Sequence, residues 1–190
     1  NVRVSDEWLG DVEAKIAGCW LGEQEMRTLL DKYGLETYQS SCDYLIDYAE
    51  KATRTAIRAI PPGEYVYEDI FEDDGFGSDG IAMPLKVTMR AAGDTLTVDF
   101  TGTAPQARGA INLPLSMTKA TVYGTIKSIV GQDVLTNVGF VRPIEVVAPL
   151  GTLVNPRFPA AVGGRAPLFF RVFDVLFRAL AKALPERVPI

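Results

Sequence analysis

Ile81-Ala82-Met83-Pro84-Leu85-Lys86-Val87-Thr88-Met89-Arg90-Ala91-Ala92-Gly93-Asp94-Thr95-Leu96-Thr97-Val98-Asp99-Phe100 is the stretch that decides the fold. Ile81, Met83, Leu85, Val87 and Met89 alternate with Lys86, Thr88 and Arg90, the period-2 pattern of a half-buried strand. Ala92-Gly93-Asp94 is a turn, and Leu96, Val98 and Phe100 alternate with Thr95, Thr97 and Asp99 on the way back. Upstream, Tyr65 to Phe71 reads as a further strand. Downstream, Ile144, Val146 and Val147 read as another, and Leu153-Val154 as a short partner.

Helical periodicity brackets these strands. Ser5 followed by Asp6 and Glu7 marks a helix start, with acids facing the helix dipole. Trp8, Val12, Ile16 and Trp20 recur on one face, where Gly18 and Gly22 permit a kink. Met26, Leu29 and Leu30 are expected inside, and Tyr33-Gly34 ends the run. A further helix over 41–60 carries Leu45, Ile46, Ala49, Ala52, Ala56, Ile57 and Ile60, and Pro61-Pro62-Gly63 stops it. Ser116 to Val130 and Pro167 to Leu184 are the remaining helices. The pattern predicts an α+β fold with N-terminal helices, a largely antiparallel sheet and a C-terminal helix. Residues 1–63 form a helical segment, expected to pack as one domain with a mixed segment over 64–190.

Composition narrows the chemistry. The 190 residues include no histidine and two cysteines, with 47% apolar and 23% charged residues. Mean hydropathy is +0.10. A Ser-His-Asp or Cys-His site cannot be built from this chain, nor an imidazole or four-thiolate zinc site. A net charge of −5 argues against general binding to nucleic acid or anionic membranes. No apolar run approaches the roughly 20 residues of a membrane span. Cys19 and Cys42 sit on apolar helical stretches, so buried, reduced thiols and a cytoplasmic location are expected. Without an initiator Met, the chain reads as part of a longer one.

Several segments carry polar groups in special settings. The acidic run Glu72-Asp73-Asp74-Gly75-Phe76-Gly77-Ser78-Asp79-Gly80 suits a hard cation or, more simply, a solvated loop. Asp99, Thr101, Gly102, Thr103 and Gln106 leave the hairpin in a Gly-rich turn that continues to Asn112. Small residues there let a ligand approach backbone N–H groups, but the same side chains equally suit a tight structural turn. Arg142, five residues after Asn137, can bind a carboxylate or phosphate bidentately, or form an internal ion pair. Gly163-Gly164 before the last helix can form an anion nest or a plain connection. Asp99, Gln106 and Arg142 are therefore the candidates for catalysis. Thr101, Gly102, Thr103, Asn112, Asn137, Gly163 and Gly164 are the candidates for substrate binding, and no metal ligand is assigned.

The order of short motifs adds a family resemblance. Gly10-Asp11, Leu21-Gly22-Glu23, Tyr33-Gly34, Tyr48-Ala49-Glu50 and Ile60-Pro61-Pro62-Gly63-Glu64-Tyr65 come first. Asp73-Asp74-Gly75, Val98-Asp99-Phe100-Thr101-Gly102-Thr103, Gln106, Gly109 and Asn112 follow. Then come Asn137-Val138-Gly139, Arg142-Pro143-Ile144, Pro149-Leu150-Gly151, Asn155-Pro156, Pro159-Ala160-Ala161-Val162 and Ala183-Leu184-Pro185-Glu186. The set resembles the hydantoinase B / oxoprolinase family over essentially the whole chain. The resemblance implies an internal fragment of the B subunit of an ATP-dependent cyclic-amide hydrolase of the N-methylhydantoinase type. Acetone and acetophenone carboxylase components share the pattern, and a non-catalytic subunit-contact role is the third reading. It also implies a hydantoinase A-type partner that supplies ATP and Mg²⁺, together with the remainder of the B subunit. The substrate would be a small cyclic amide. No cofactor is expected on this chain, and any metal centre belongs to a part preceding Asn1. The resemblance carries no catalytic residue onto this chain.

Overall fold

The computed structural model describes residues 4–72, 74 and 82–188. Its elements are α1 (Ser5–Tyr33), α2 (Leu35–Ile57), β1 (Gly63–Phe71), β2 (Met83–Ala92), β3 (Thr95–Asp99), α3 (Leu115–Ile129), α4 (Val138–Val141), β4 (Ile144–Val147) and α5 (Ala166–Ala183). The chain divides into two compact units, Asn1–Leu45 and Ile46–Ile190. No helix among the described residues is long and apolar enough to cross a membrane.

In the first unit, α1 begins at Ser5 with Asp6 and Glu7 in its first turn and is capped by Gly34, whose φ of 78° is costly for other residues. Gly18 and Gly22 do not interrupt it. Met26 and Leu29, expected inside, are 41% and 40% exposed, and no α1 residue is buried. Cys19 is exposed and Cys42 half-buried, so neither is the fully buried thiol expected from the sequence.

The second unit is an α+β sandwich on a four-stranded sheet of order β1-β2-β3-β4. The hairpin forms as the alternation requires: β2 and β3 are antiparallel, with Met89 opposite Val98 and Ala91 opposite Leu96. β1 is antiparallel to β2. β4 runs parallel to β3 after a crossover containing α3 and α4, so the sheet is mixed. Leu153 and Val154 are wholly buried but form no strand, only the single bridges that Thr152 makes to Pro105 and Asn155.

One sheet face is apolar: Leu85, Val87, Met89, Leu96 and Val98 are all at or below 1% exposure. α5 covers its β1–β2 half with Leu168, Val172, Val175, Leu176, Ala179 and Leu180, at the three- and four-residue spacing of a single helix face, and α3 packs beside α5 and reaches β4. The other face is ionic. Arg90 joins Glu64 on β1 at 2.8 Å to Asp99 on β3 at 3.1 Å, and the Thr97 hydroxyl donates to Glu145.

The C-terminal half of α2 is fixed by charge and by close approach. Arg54 bridges Glu50 and Asp94, Arg58 also reaches Asp94 in the β2–β3 turn, and Arg142 reaches Glu50 at 3.0 Å. α4 touches the same helix so closely that a Cβ on Gly139 would stand 2.0 Å from the Ile46 carbonyl oxygen. Gly139→Ala therefore forces backbone apart and is expected to cost about 3 kcal/mol of stability in urea unfolding. Gly163→Ala, where a Cβ meets nothing within 4 Å, leaves the midpoint unchanged.

Candidate functional site

The segment following β3 builds a structure out of its own polar side chains. Asp99 Oδ1 accepts the Thr101 N–H at 2.8 Å, which turns the chain, and Gly102 takes φ 97°. Thr103 then lies against β2: its hydroxyl accepts from Lys86 N at 3.2 Å and donates to Lys86 O at 3.1 Å. Ala104 N donates to Pro84 O. A Cβ on Gly102 would meet the Lys86 Cδ at 3.0 Å, so the turn needs both the φ and the space.

Farther along, the segment interlocks with residues 148–164. Gln106 N donates to Gly151 O, and Gln106 Oε1 accepts from Arg157 N at 2.7 Å. Asn112, wholly buried, makes four hydrogen bonds. Its Oδ1 accepts from Ala107 N, while its Nδ2 donates to the carbonyls of Ala107, Gly109 and Ala161. Gly164 N closes the same region on Ala110 O. Asn112→Ala strands several buried backbone groups at once and is expected to lower stability by about 3 kcal/mol or more by chemical denaturation.

These contacts shape a cleft of about 420 Å³, lined among the described residues by Asp74, 82–84 and 102–108. Three sequence candidates meet there: Gly102, Thr103 and Gln106. Ala82, Met83, Pro84, Ala104, Pro105 and Ala107 make much of its wall apolar. Asp74, 3% exposed, and Arg108 add charge. Among the described residues Gln106 Nε2 has no hydrogen-bond partner, so it is a donor available within the cleft wall.

The other candidates lie apart from the lining. Asp99 faces Arg90 and the Thr101 turn. Asn112 holds loops together from inside. Asn137 caps α4 by accepting the Gly139 N–H at 2.8 Å. Arg142 ends α4, and its guanidinium forms the internal ion pair, with Glu50 and Asp47 of α2. Gly163 and Gly164 precede α5, where Arg165 turns back to bond Val162 O. Arg108 is a charged lining residue that the sequence did not single out, although it stands between Gln106 and Gly109 of the family motif. Of the acidic run, Glu72 and Asp74 are described; Asp73 and 75–80 lie outside the described residues.

Charge states follow from these contacts. Burial works against the Asp99 carboxylate, but the Thr101 hydroxyl and N–H and the Arg90 guanidinium outweigh it and hold the group below the usual aspartate range. Glu50 is lowered by Arg54 and then Arg142. Asp94 is lowered by Arg58 and Arg54 against an opposing burial effect. Each carboxylate with a resolved shift is thus held ionised rather than poised near neutrality for proton transfer. A group with a depressed folded pKa contributes stability above its unfolded pKa and loses it as pH falls through the folded value. Asp99→Asn should accordingly lower stability at neutral pH and flatten its fall below about pH 4 in pH-resolved unfolding curves.

The residues also decide how a metal could be held. The chain has no imidazole, and the described residues bring no three Cys, Asp or Glu side chains together in a ligating group. No imidazole-bound metal centre can therefore be built from this chain's own residues.

The fold is shared with solved structures. It superposes on the crystal structure of the ATP-dependent caprolactamase from Pseudomonas jessenii with a TM-score of 0.86 and 29% identity, over 98% of this chain and 32% of that one. Acetone carboxylase shares the fold at a TM-score of 0.83 and 20% identity. The family model for hydantoinase B/oxoprolinase matches residues 1–190, and the chain belongs to that family. A protein of Pseudomonas sp. (strain NS671), named as the B subunit of a D-/L-hydantoinase, is 40% identical over 198 residues, covering 99% of this chain and 33% of its own length. 5-Oxoprolinase 1 of Arabidopsis thaliana is 32% identical over 186 residues, covering 93% of this chain and 15% of its own. The chain thus spans about a third of the bacterial relative and less of the plant one.

Proposed function

We propose that this chain is part of the B subunit of an ATP-dependent cyclic-amide hydrolase, working in the cytoplasm with a hydantoinase A-type partner. The observation that carries the proposal is the family match over all 190 residues, together with likeness to relatives named for hydantoinase, 5-oxoprolinase and caprolactamase. ATP and Mg²⁺ are assigned to the partner, and any metal ion to residues outside this chain. The partner transfers the γ-phosphoryl group of ATP to the amide oxygen of a small ring and releases ADP; water then adds to the activated carbon, the C–N bond breaks with the nitrogen leaving as an amine, and a second water releases inorganic phosphate as the carboxylate forms, in a site shared between this chain and the rest of the assembly.

This chain's part is to bind and orient. The cleft wall offers apolar surface for ring methylenes, and Gln106 Nε2 offers a hydrogen bond to a ring carbonyl. Thr103 and Gly102 hold the wall on β2. Asp99 and Arg142 act through the fold, Asp99 by fixing the turn into the cleft and Arg142 by fixing α2. The full-length subunit with its partner is expected to hydrolyse ATP only when hydantoin, oxoproline or a lactam is present. Gln106→Ala is expected to raise KM more than it lowers kcat. ATP turnover that requires a ketone and bicarbonate instead would assign the assembly to the carboxylase branch. Full activity in the Gln106, Asp99 and Arg142 variants would leave the chain a subunit-contact role.

A further inference from the structure

Three stretches of chain meet at one end of the sheet, and they bring a buried carboxylate into the cleft. Phe71, the last residue of β1, pairs with Met83, the first of β2. Ala104 N donates to Pro84 O at 2.7 Å, which carries the turn after β3 to the same place. Asp74, three residues past β1, lines the cleft formed there and is 3% exposed. Met83, Pro84, Ala104 and Pro105 give the wall around it an apolar surface. A carboxylate loses hydration in such a setting and needs a partner, and Asp74 is not without one. A carboxylate so held still has further lone pairs with which to accept. The arginine-paired carboxylates of the second unit, Glu50, Glu64, Asp69, Asp94 and Asp99, all lie outside the lining. Asp74 is the one carboxylate among the described lining residues.

Water that adds to an activated ring carbon must lose a proton as the C–O bond forms, so an acceptor has to stand in the cleft. Arg108 carries only donors. The Thr103 hydroxyl is taken up by Lys86 N and Lys86 O. Gln106 offers a donor at its unpartnered end. That leaves Asp74 as the one side chain of the described lining that can take the proton. We propose, resting on the ring-opening function proposed above, that Asp74 is the catalytic base for the attacking water. The water oxygen bonds to the ring carbon while one of its protons passes to Asp74, which returns it to the ring nitrogen. The remaining hydroxyl proton follows the same route as the C–N bond breaks and the C=O bond forms. The products of this step are an amine and an acyl phosphate, with Asp74 again ionised.

The full-length subunit assembled with its partner is mixed with ATP, Mg²⁺ and either oxoproline or 2-pyrrolidinone, and ADP and free amine are measured separately. Asp74→Asn is expected to keep a burst of about one ADP per site, because phosphorylation precedes the water, while amine release falls about 10²–10⁴-fold. Asp74→Ala should behave alike, and added formate, a small carboxylate that fits the vacated space, should raise its amine release about tenfold or more. A packing defect does not respond to formate in this way. Amine release equal to that of the native assembly in both variants would place water activation elsewhere and overturn the proposal. Loss of the ADP burst together with amine release, unrelieved by formate, would make Asp74 a structural residue and overturn it as well. The native assembly separates the two levels. If it forms no ADP with hydantoin, oxoproline or a lactam, the ring-opening function fails and the role of Asp74 with it. If it forms ADP and amine and the variants do so equally, the role of Asp74 fails alone.

Discussion

The burial of one sheet face under α5 is the interaction on which the rest of the second unit depends. A four-stranded sheet with Leu85, Val87, Met89, Leu96 and Val98 on one side has no stable form in water until that side is covered. Six apolar residues of α5, with α3 packed beside it, cover it, each large side chain contributing about 1.5–3 kcal/mol by area, an upper bound because the unfolded chain already hides some surface. Charge then sets the fit at the edge strand: Arg171 pairs with Asp69 at 2.9 Å, and Arg178 and Lys182 lie near the Tyr67 ring. Because α5 must sit there, the chain entering it from 156–165 is held near the loop that leaves β3. Asn112 and Gly164 can then tie the two together.

Much of this was legible in the sequence because it rests on periodicity. The alternation in β2 and β3, the apolar stripe of α5 and the Pro61-Pro62-Gly63 stop are local patterns with local causes. The parallel pairing of β4 was not legible. Ile144, Val146 and Val147 read the same whichever direction the strand runs, and the direction is set by a crossover whose packing is non-local. α4 was hidden for a related reason. Four residues leave too short a pattern, and its position depends on Gly139 approaching Ile46, a contact between residues far apart in sequence. α1 shows the opposite limit: its apolar face was plain, but periodicity says only that a face exists, not that this chain buries it.

For the candidate site, the sequence located the right segment and left the roles of its residues open. Asp99, Thr101, Thr103, Gln106 and Asn112 are dense between β3 and α3 because an irregular chain at the edge of a core must satisfy its backbone without a ladder. The same chemistry, a side-chain oxygen beside a backbone N–H, serves a ligand site and a tight turn, so sequence alone cannot separate them. The geometry does: Thr103 and Asn112 have their hydrogen bonds filled by the chain itself, whereas Gln106, a residue of the cleft wall, fills only its Oε1 among the described residues. Arg142 resolves likewise, its guanidinium going to Glu50 and Asp47 of α2.

A division of labour follows from where the charges go. Glu50 and Asp94 are held ionised by arginine and Asp99 by Thr101 and Arg90, and carboxylates so held are poor proton carriers at neutral pH. They are good struts: Arg142, Glu50, Arg54, Asp94 and Arg58 form one continuous path from the end of α4 through α2 to the β2–β3 turn. Arg90 and Asp99 continue the bracing across the sheet to the turn that opens the cleft. Opening an unactivated amide ring at neutral pH demands a poised acid or base or a bound electrophile, and the paired carboxylates described here supply neither. An activated ring demands less, chiefly a rigid apolar wall and a correctly aimed donor. The braced cleft, with its alanine and proline surface and the Gln106 amide on its wall, is suited to that second task.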